Sequence, residues 1–275
     1  MEFVLYGTDK RMEYLALRLK RAGHRVLTWE GITSAYATKI DSLLELTGAV
    51  RLVLPLSADS ALKARALEGL PLGSLVFGGG APTDEESAAL AAKKAITWID
   101  LAEDDDYCRA NAVPTAEGAL HKFLECTPTC AAESTAVMFG SGRVAEATID
   151  LFSRVGIDLL VCARNEKVRR ALRRAGHRTC PLPVPEKKRA RLTSASALIN
   201  TVPKAGIVDA EVIASLPRGT PILELASGKE NIDLSAAEAR GCPVFFLPAL
   251  PGKIAPKSAA DALFSAITKP KDVRT

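Results

Sequence analysis

The sequence predicts an α/β protein built from two doubly wound parallel-sheet domains. Three observations predict this fold. The length of 275 residues suits two domains of about 100 to 150 residues each. Short aliphatic runs alternate with helical stretches along the whole chain, which is the pattern of parallel sheets covered by helices on both faces. A second series of strands opens with a strand that runs directly into a glycine-rich turn.

Each series contains five predicted strands with helices between them. In the first half the strands are Phe3 to Tyr6, Arg25 to Trp29, Leu52 to Leu56, Ser74 to Phe77 and Ile96 to Asp100. In the second half they are Ala136 to Phe139, Leu159 to Cys162, Leu198 to Thr201, Ile222 to Leu225 and Val244 to Phe246.

The two series are separated by a predicted helix, Thr115 to Leu124, which follows Pro114, a residue suited to a helix start. This separation predicts a substrate or interaction domain at residues 1–112, an interdomain helix at 113–130 and a Rossmann domain at 131–257. Residues 258–275 form a short amphipathic helix and a charged tail, which we expect to pack on the hinge or on the first domain.

Composition and charge exclude several classes of protein. The first residues run straight into a strand without a secretory signal, and no apolar run reaches the roughly 18 residues of a membrane span. We therefore expect a cytoplasmic protein. The six cysteines lack metal-ligand spacing, which favours free thiols and no metal site. The basic runs 164–174 and 187–191 lack interleaved aromatic residues, and with a net charge of +4 they indicate solvated faces rather than a nucleic-acid interface.

The turn after the strand at 136–139 carries the pattern G-x-G-x-x-A, which is typical of dinucleotide-binding Rossmann domains. Gly140 permits the tight turn, Gly142 lets the backbone approach a pyrophosphate, and Ala145 lets helix and strand pack closely. The intervening residues Ser141, Arg143 and Val144 are the other predicted contacts. The alternatives are a tight turn without a ligand and a site for S-adenosylmethionine.

The end of the next strand favours NADP over NAD. An Asp or Glu at this position binds the ribose diol of NAD, whereas an Arg accommodates the 2′-phosphate of NADP. Here the strand ends in Arg164 and Asn165, with no carboxylate beside them. Arg164 can pair with a phosphate and Asn165 can donate a hydrogen bond to it. The alternative is that Arg164 is only a solvated charge.

Three later loops should face the nicotinamide, because ligands lie outside the carboxyl ends of the strands. The predicted contacts are Thr201, Val202, Pro203, Ala226, Ser227 and Pro251. The third loop, 247–258, has three prolines and a glycine and is expected to be stiff. It ends at a helix start with Lys257 and Ser258, which suits an anionic substrate.

In the first domain, the segment from Gly7 to Arg11 follows the first strand and opens a helix, so it offers an anion-ready helix N-terminus. Ser57 follows the third predicted strand and should lie at the same edge of that sheet. Both suggest a small anionic ligand, and surface capping is the alternative for Asp9 and Ser57.

A set of motifs spread over nearly the whole chain resembles the A subunits of dipicolinate synthases. The motifs are Gly7-x-Asp9-x-Arg11, Leu54-Pro55-Leu56-Ser57-Ala58, Asn111 to Gly118, the Gly140 turn, Asn200-Thr201-Val202-Pro203, Leu225-Ala226-Ser227 and Leu250-Pro251-Gly252-x-Ile254-Ala255-Pro256-Lys257. The resemblance implies an enzyme of spore-forming bacteria. With a flavoprotein-like B subunit, it oxidises a dihydrodipicolinate of the lysine pathway to dipicolinate in the mother-cell cytoplasm. A homo-oligomer is also expected.

The substrate implied by this resemblance, a cyclic dicarboxylate, suggests roles for the remaining polar residues. We expect Arg11 and Lys257 to bind carboxylates, with Ser258 beside them, and Ser57, Thr115 and Glu117 to orient the ring or its nitrogen. Asp9 either holds Arg11 or acts as the base, so the predicted catalytic residues are Asp9, Glu117 and Lys257.

Two alternatives remain at the level of sequence. One is a non-catalytic NADP-binding regulator or scaffold whose partner performs the chemistry. The other is a 2-hydroxyacid or amino-acid dehydrogenase, which usually works with a catalytic His near the nucleotide. His24, His121 and His177 all lie away from the loops expected to face the nicotinamide, so the sequence disfavours this second alternative.

Overall fold

The computed structural model describes residues 1–228 and 230–269, which form two compact units. The first unit contains residues 1–111 and the described residues from 255 onward. The second unit is Ala112–Ile254. The second unit is therefore continuous in sequence, whereas the first is made of two separate stretches of chain. The charged tail predicted at the end of the chain, from residue 270 onward, lies outside the described residues.

Each unit contains one sheet, and within the described residues each sheet has six parallel strands. The strands of the first unit are β1 (Glu2–Gly7), β2 (Arg25–Gly31), β3 (Thr38–Ile40), β4 (Arg51–Val53), β5 (Leu75–Gly78) and β6 (Thr97–Asp100). The strands of the second unit are β7 (Thr135–Phe139), β8 (Asp158–Ala163), β9 (Arg178–Pro181), β10 (Ala197–Asn200), β11 (Ile222–Glu224) and β12 (Val244–Phe246).

The two sheets have the same winding. Their spatial orders are β3-β2-β1-β4-β5-β6 and β9-β8-β7-β10-β11-β12. This is the order of a doubly wound dinucleotide-binding fold, in which the winding direction reverses between the first and fourth strands. The reversal lies between β1 and β4 in one unit and between β7 and β10 in the other. The predicted fold class is confirmed.

Helices connect most of the successive strands, as is usual for parallel sheets, whereas β2 and β3 are joined by a short turn. The helices are α1 (Lys10–Arg21), α2 (Ser60–Gly69), α3 (Glu85–Lys93), α4 (Asp105–Cys126), α5 (Arg143–Arg154), α6 (Glu166–Arg174), α7 (Ala210–Ala214), α8 (Leu234–Arg240), α9 (Leu250–Ile254) and α10 (Pro256–Thr268). Short 3₁₀ turns lie at Leu43–Glu45, Ala131–Glu133 and Glu186–Leu192. Within the described part of the chain, none of the helices is long and apolar enough to cross a membrane.

The structure differs from the sequence prediction at α4, which begins at Asp105 and not after Pro114. Asp104 accepts a hydrogen bond from the Tyr107 backbone N–H at 3.0 Å, and acidic residues fill the first turn, so this end of the helix is capped and favoured by the helix dipole. Pro114 lies inside the helix, where its lack of an N–H removes one backbone hydrogen bond. The boundary between the two units falls within α4.

The prediction of a stiff loop at 247–258 is also partly wrong. The short helix α9 occupies its centre, and Pro256 stands in the first turn of α10. Proline is well tolerated there because the first N–H groups of a helix have no partner within it.

Alternating side chains along each strand fill the two faces of each sheet. In the first unit, Phe3 and Leu5 join the core under α1 and α10, whereas Val4 joins the core on the opposite face. The face under the two helices also takes in Met12, Leu15, Ala16, Leu19, Ala260, Leu263, Ala266 and Ile267. The final helix is thus part of the core of the first unit.

In the second unit, Met138 faces the helix that follows the glycine turn. Ala145, Ile149 and Phe152 of α5 are buried against Met138 and its neighbours, and Phe123 of α4 packs in the same cluster. Phe152 and Phe123 meet edge to face, with ring centroids 5.2 Å apart. This packing fixes the start of α5 at the end of β7.

Candidate dinucleotide-binding site

The carboxyl ends of β7 and β10 lie side by side where the winding of the second sheet reverses. In this fold class the crevice for a ligand forms outside the strand ends at such a reversal. The residues just beyond these two ends are Gly140 and Thr201, both predicted from the sequence as dinucleotide contacts. The topology therefore brings two separately predicted loops to one place.

Gly140 is required by geometry in this turn. Its φ is +117°, a conformation that L side chains rarely adopt. A Cβ at this position would lie 2.1 Å from the Thr201 Oγ1 and 3.3 Å from the Val202 side chain. Thr201 cannot easily move away, because its hydroxyl donates to the Phe139 carbonyl at 2.8 Å and its backbone N–H donates to the same oxygen at 2.9 Å.

The space around Gly142 is open, in contrast to the crowded space around Gly140. Gly142 is the N-cap of α5, no side chain caps that helix end, and a Cβ on Gly142 would meet nothing within 4 Å. The first N–H groups of a helix lack partners within it and carry the positive end of the helix dipole. Ser141, Arg143 and Val144 surround this end and are half-buried. An open, uncapped helix start of this kind suits a pyrophosphate, so the turn fits the group that the sequence predicts.

Arg164 and Asn165 lie at the carboxyl end of β8 and are both exposed. The Asn165 side-chain oxygen caps α6 by accepting from the Lys167 N–H at 2.8 Å, which leaves its NH₂ group to donate outward. Arg169 is only 11% exposed in its side chain, and it donates to the Arg164 carbonyl at 2.6 Å and to the Glu166 carboxylate. Arg169 therefore braces the strand end and leaves Arg164 as the cation that a 2′-phosphate could reach.

A buried polar pair that the sequence prediction missed ties β10 to β11. The Asn200 side-chain nitrogen donates to both Glu224 oxygens, at 2.9 and 3.0 Å, and the Ala226 N–H donates to Glu224 at 2.8 Å. Asn200 is fully buried and Glu224 is 3% exposed. Burial raises the pKa of Glu224, and its hydrogen bonds from Asn200, Ala226 and Asn231 oppose that rise.

This pair shapes the loops expected to face the nicotinamide. The Val202 N–H donates to the Asn200 side-chain oxygen at 3.1 Å, and the Asn200 NH₂ donates back to the Val202 carbonyl at 3.1 Å. Ala226 is held at the other end of the pair. Pro203 and Ser227 follow these anchored positions, and both are exposed. Pro251 differs, because it is buried within α9.

In the first unit, the reversal between β1 and β4 gathers a second group of predicted residues. Asp9 caps α1 by accepting from the Arg11 N–H at 2.9 Å, and its other oxygen accepts from the Arg11 guanidinium at 3.0 and 2.8 Å. Burial raises the pKa of Tyr107, and the adjacent Arg11 guanidinium opposes that rise. Asp9 therefore caps α1 and at the same time holds the Arg11 guanidinium in place.

Ser57 lies in the turn after β4, on the other side of this reversal, and is exposed. It does not cap the following helix, because Asp59 does so by accepting from the Leu62 N–H at 2.8 Å. The backbone of the neighbouring Leu56 lies close to the end of β5, since a Cβ on Gly79 would be 2.1 Å from the Leu56 carbonyl oxygen.

The remaining predicted residues are not gathered by either reversal. Lys257 lies in the first turn of α10, is 74% exposed in its side chain and pairs with Asp261 at 3.0 Å. Ser258 beside it is exposed. On α4, Thr115 is buried and Glu117 is exposed.

Comparisons with known proteins agree with this architecture. No protein-family model matches the chain. The chain is 29% identical to the A subunit of dipicolinate synthase from Bacillus subtilis (strain 168) over 208 residues, which are 76% of this chain and 68% of that protein. The crystal structure of the dipicolinate synthase A subunit from Bacillus halodurans matches with a TM-score of 0.79 and 24% identity, covering 98% of both chains.

A more distant fold match is L-alanine dehydrogenase, with a TM-score of 0.63, 15% identity and coverage of 98% of this chain and 88% of that one. The fold is therefore one that dehydrogenases also use. The resemblance predicted from the motifs is confirmed: this chain is similar in sequence to the A subunit of dipicolinate synthase, and it shares the fold of that protein.

Proposed function

We propose that this chain is the NADP-binding subunit of a dipicolinate synthase and oxidises a dihydrodipicolinate to dipicolinate. The observation that carries the proposal is the glycine turn at the β7–β10 reversal, found in a chain similar to the A subunit of that enzyme. The turn supports the binding of a dinucleotide, and the similarity supports the choice of substrate.

The residues present fit NADP. Gly142 and the uncapped start of α5 would hold the pyrophosphate, Thr201 and Val202 would border the nicotinamide half, and Arg164 with Asn165 would take the 2′-phosphate. The preference for NADP over NAD rests on Arg164, which is the exposed cation at the position where NAD-dependent proteins carry an acid.

When bound, NADP⁺ supplies the hydride acceptor for the reaction. The substrate ring loses one hydride and one proton and becomes an aromatic pyridine, so the protein mainly has to align the ring. Arg11 is suited to bind a substrate carboxylate, because Asp9 fixes its guanidinium from one side and leaves further donors for a second carboxylate. Asp9 and Glu117 are the candidates for the base, and of the two Asp9 already accepts three hydrogen bonds from Arg11 whereas Glu117 is exposed on α4.

Ser57 and Thr115 would orient the ring, and Lys257 with Ser258 would bind the second carboxylate. For Lys257 this requires exchange of its surface partner Asp261 for substrate, which costs little because exposed ion pairs contribute only about 0 to 1 kcal/mol. The proposal includes a flavoprotein-like B subunit as partner, self-association of the chain and a site of action in the mother-cell cytoplasm of a sporulating bacterium, all of which follow from the resemblance.

The first test measures nucleotide binding. Purified protein is titrated with NADPH and with NADH by fluorescence, alongside Arg164→Asp and the control Arg170→Asp, whose side chain is 68% exposed on α6. Because a hydrogen-bonded charge pair contributes about 1.5 to 3 kcal/mol, we expect Arg164→Asp to weaken NADPH binding by roughly 10- to 150-fold without weakening NADH binding. The control variant should bind both nucleotides as the wild-type protein does. Absence of NADPH binding in the wild-type protein would refute the proposal.

The second test measures turnover. Formation of NADPH from NADP⁺ and enzymatically generated dihydrodipicolinate is followed with this chain alone and together with the B subunit. Turnover in either mixture supports the proposal. NADPH binding without turnover in both mixtures would instead assign the chain a regulatory or scaffold role.

A further inference from the structure

Another pocket of the second unit is lined by none of the residues predicted to bind the dinucleotide. It is formed by the C-terminal end of α6, the start of β9 and the 3₁₀ segment Glu186–Leu192, and its volume is about 440 Å³. The polar side chains that line it are Arg173, His177, Arg178, Thr179, Arg191 and Ser194. This size lies within the range of small-molecule sites.

The pocket lies beside the middle of β8 and the start of β9, whereas the dinucleotide site lies beyond the carboxyl ends of the strands. Arg178 is the first residue of β9 and pairs with Leu160, which also lines the pocket. Arg164, at the adenine end of the predicted NADP site, is four residues further along the chain than Leu160. At a rise of about 3.3 Å per residue, the two positions are roughly 13 Å apart. Binding of NADP to the carboxyl ends of the strands does not account for this pocket.

The lining is positively charged, and its carboxylate partners are too few to neutralise it. No Asp or Glu is among the described residues that line the pocket. Glu166 is shared by Arg169, Arg170 and Arg173, so one negative charge faces three guanidinium groups. Arg178 pairs with Asp158.

Arg191 stands out in this group. Within residues 1–228 and 230–269 it forms no ion pair, and its one hydrogen bond is donated to the Thr179 carbonyl at 3.1 Å. A guanidinium carries five N–H donors, so most of those on Arg191 remain for a ligand. Planar guanidinium groups gathered around a concave surface suit the oxygens of a phosphate or a carboxylate.

The cations around the pocket also affect the pKa of a buried thiol. The pKa of Cys180, in β9, is lowered mainly by a hydrogen bond from Cys162; burial opposes this, and the nearby cations Lys188, Arg191 and Arg169 lower it further. The positive charge of this region thus acts on groups around the pocket as well as on solvent.

We propose that this pocket binds a small organic phosphate through Arg173, Arg178 and Arg191. The fork of each guanidinium matches a phosphoryl group, and the hydroxyls of Thr179 and Ser194 add donors that a dianion can use. The Thr179 hydroxyl is already oriented, because its oxygen accepts from Arg173 at 3.0 Å. The site would respond to a phosphorylated metabolite at a place separate from the dinucleotide.

The test uses the full chain and inorganic phosphate and pyrophosphate as probes, followed by two-dimensional amide NMR at constant ionic strength set with sodium chloride. We expect the amide signals of Thr179 and Ser194 to shift on titration. Arg191→Met should weaken the response at least about tenfold, as expected for loss of a charged hydrogen-bonding partner. The matched control Arg170→Met lies on the same helix as Arg173, outside the lining, and should leave the affinity unchanged.

Three results would overturn the proposal. They are no shift of these amides with either probe, an equal response in Arg191→Met and wild type, and displacement of the probe from these amides by NADPH. If Arg191→Met does not fold, Arg191→Lys retains the charge but not the fork, and an unchanged affinity in that variant would also overturn it. None of these results depends on the oxidoreductase activity.

Discussion

Replacing Glu224 with leucine tests the buried pair that joins β10 to β11. Leucine removes the acceptor of two donors, the buried Asn200 NH₂ and the half-buried Ala226 N–H. Leaving these two donors without partners costs up to about 2 to 6 kcal/mol in total, at about 1 to 3 kcal/mol each. Burying the leucine side chain returns about 1.5 to 3 kcal/mol. The middle of these ranges gives a net loss of about 2 kcal/mol in the free energy of unfolding.

Urea unfolding of the purified variant measures this loss directly. Glu238→Leu on α8 is the matched control, because Glu238 is exposed and surface substitutions usually change stability by no more than about 0.5 kcal/mol. NADPH affinity should fall in Glu224→Leu, since the Asn200 side chain that bonds to Val202 then loses the carboxylate that fixes it. Equal unfolding midpoints for Glu224→Leu and wild type would refute the reasoning.

The same carboxylate predicts a pH dependence with a defined sign. Burial raises the pKa of Glu224 in the folded protein above its unfolded value of about 4.3. Between these two pKa values the folded state binds more protons than the unfolded state, so stability from this group is lost as pH rises through the folded pKa and is fully present below about pH 4.3. Relative to Glu224→Gln, which does not titrate, the wild-type protein should gain stability as the pH falls through this window. A constant difference between the two proteins across the window would contradict this explanation.

Two further substitutions test the predicted cofactor and substrate residues. Gly140→Ala should abolish NADPH binding and lower the thermal midpoint, because its Cβ would lie 2.1 Å from the Thr201 hydroxyl at a φ of +117°, and wild-type affinity by fluorescence would contradict the turn geometry. Lys257→Met should leave the free energy of unfolding within about 0.5 kcal/mol of wild type, since its pair with Asp261 is exposed, while raising the KM for the dicarboxylate, and unchanged steady-state kinetics would remove Lys257 from the site.

The central strands of each sheet and one edge strand of each, β6 and β12, could be predicted from sequence, whereas the other two edge strands could not. Central strands such as β7 are continuous apolar runs, which is what burial on both faces requires. The missed strands are β3 and β9, which are short, begin with exposed residues and pair with one neighbour only within the described sheets. Their sequences, TKI and RTCP, carry few of the aliphatic and aromatic residues on which the prediction depends, whereas the edge strands β6 and β12 have the sequences TWID and VFF.

Part of the candidate site could also be predicted from sequence, and part of it could not. The glycine turn could be predicted because each small residue in it has a steric role, and the spacing of these residues in the sequence is enough to recognise the motif. The pairing of Asn200 with Glu224 could not, because it depends on two strands 24 positions apart lying side by side. A polar residue at the end of each apolar strand was the available signal. The pairing of Lys257 with Asp261 follows helical spacing and could have been predicted once α10 was placed.

The interrupted first unit has a consequence for how the chain folds during synthesis. Its core needs Ala260, Leu263 and Ile267 of α10, which are translated after everything else in that core. The second unit is one continuous stretch, so all of its core residues emerge from the ribosome before α10 does. Domains generally fold as units while the chain is being made. The core of the first unit therefore cannot be completed until the whole chain of the second unit has been synthesised.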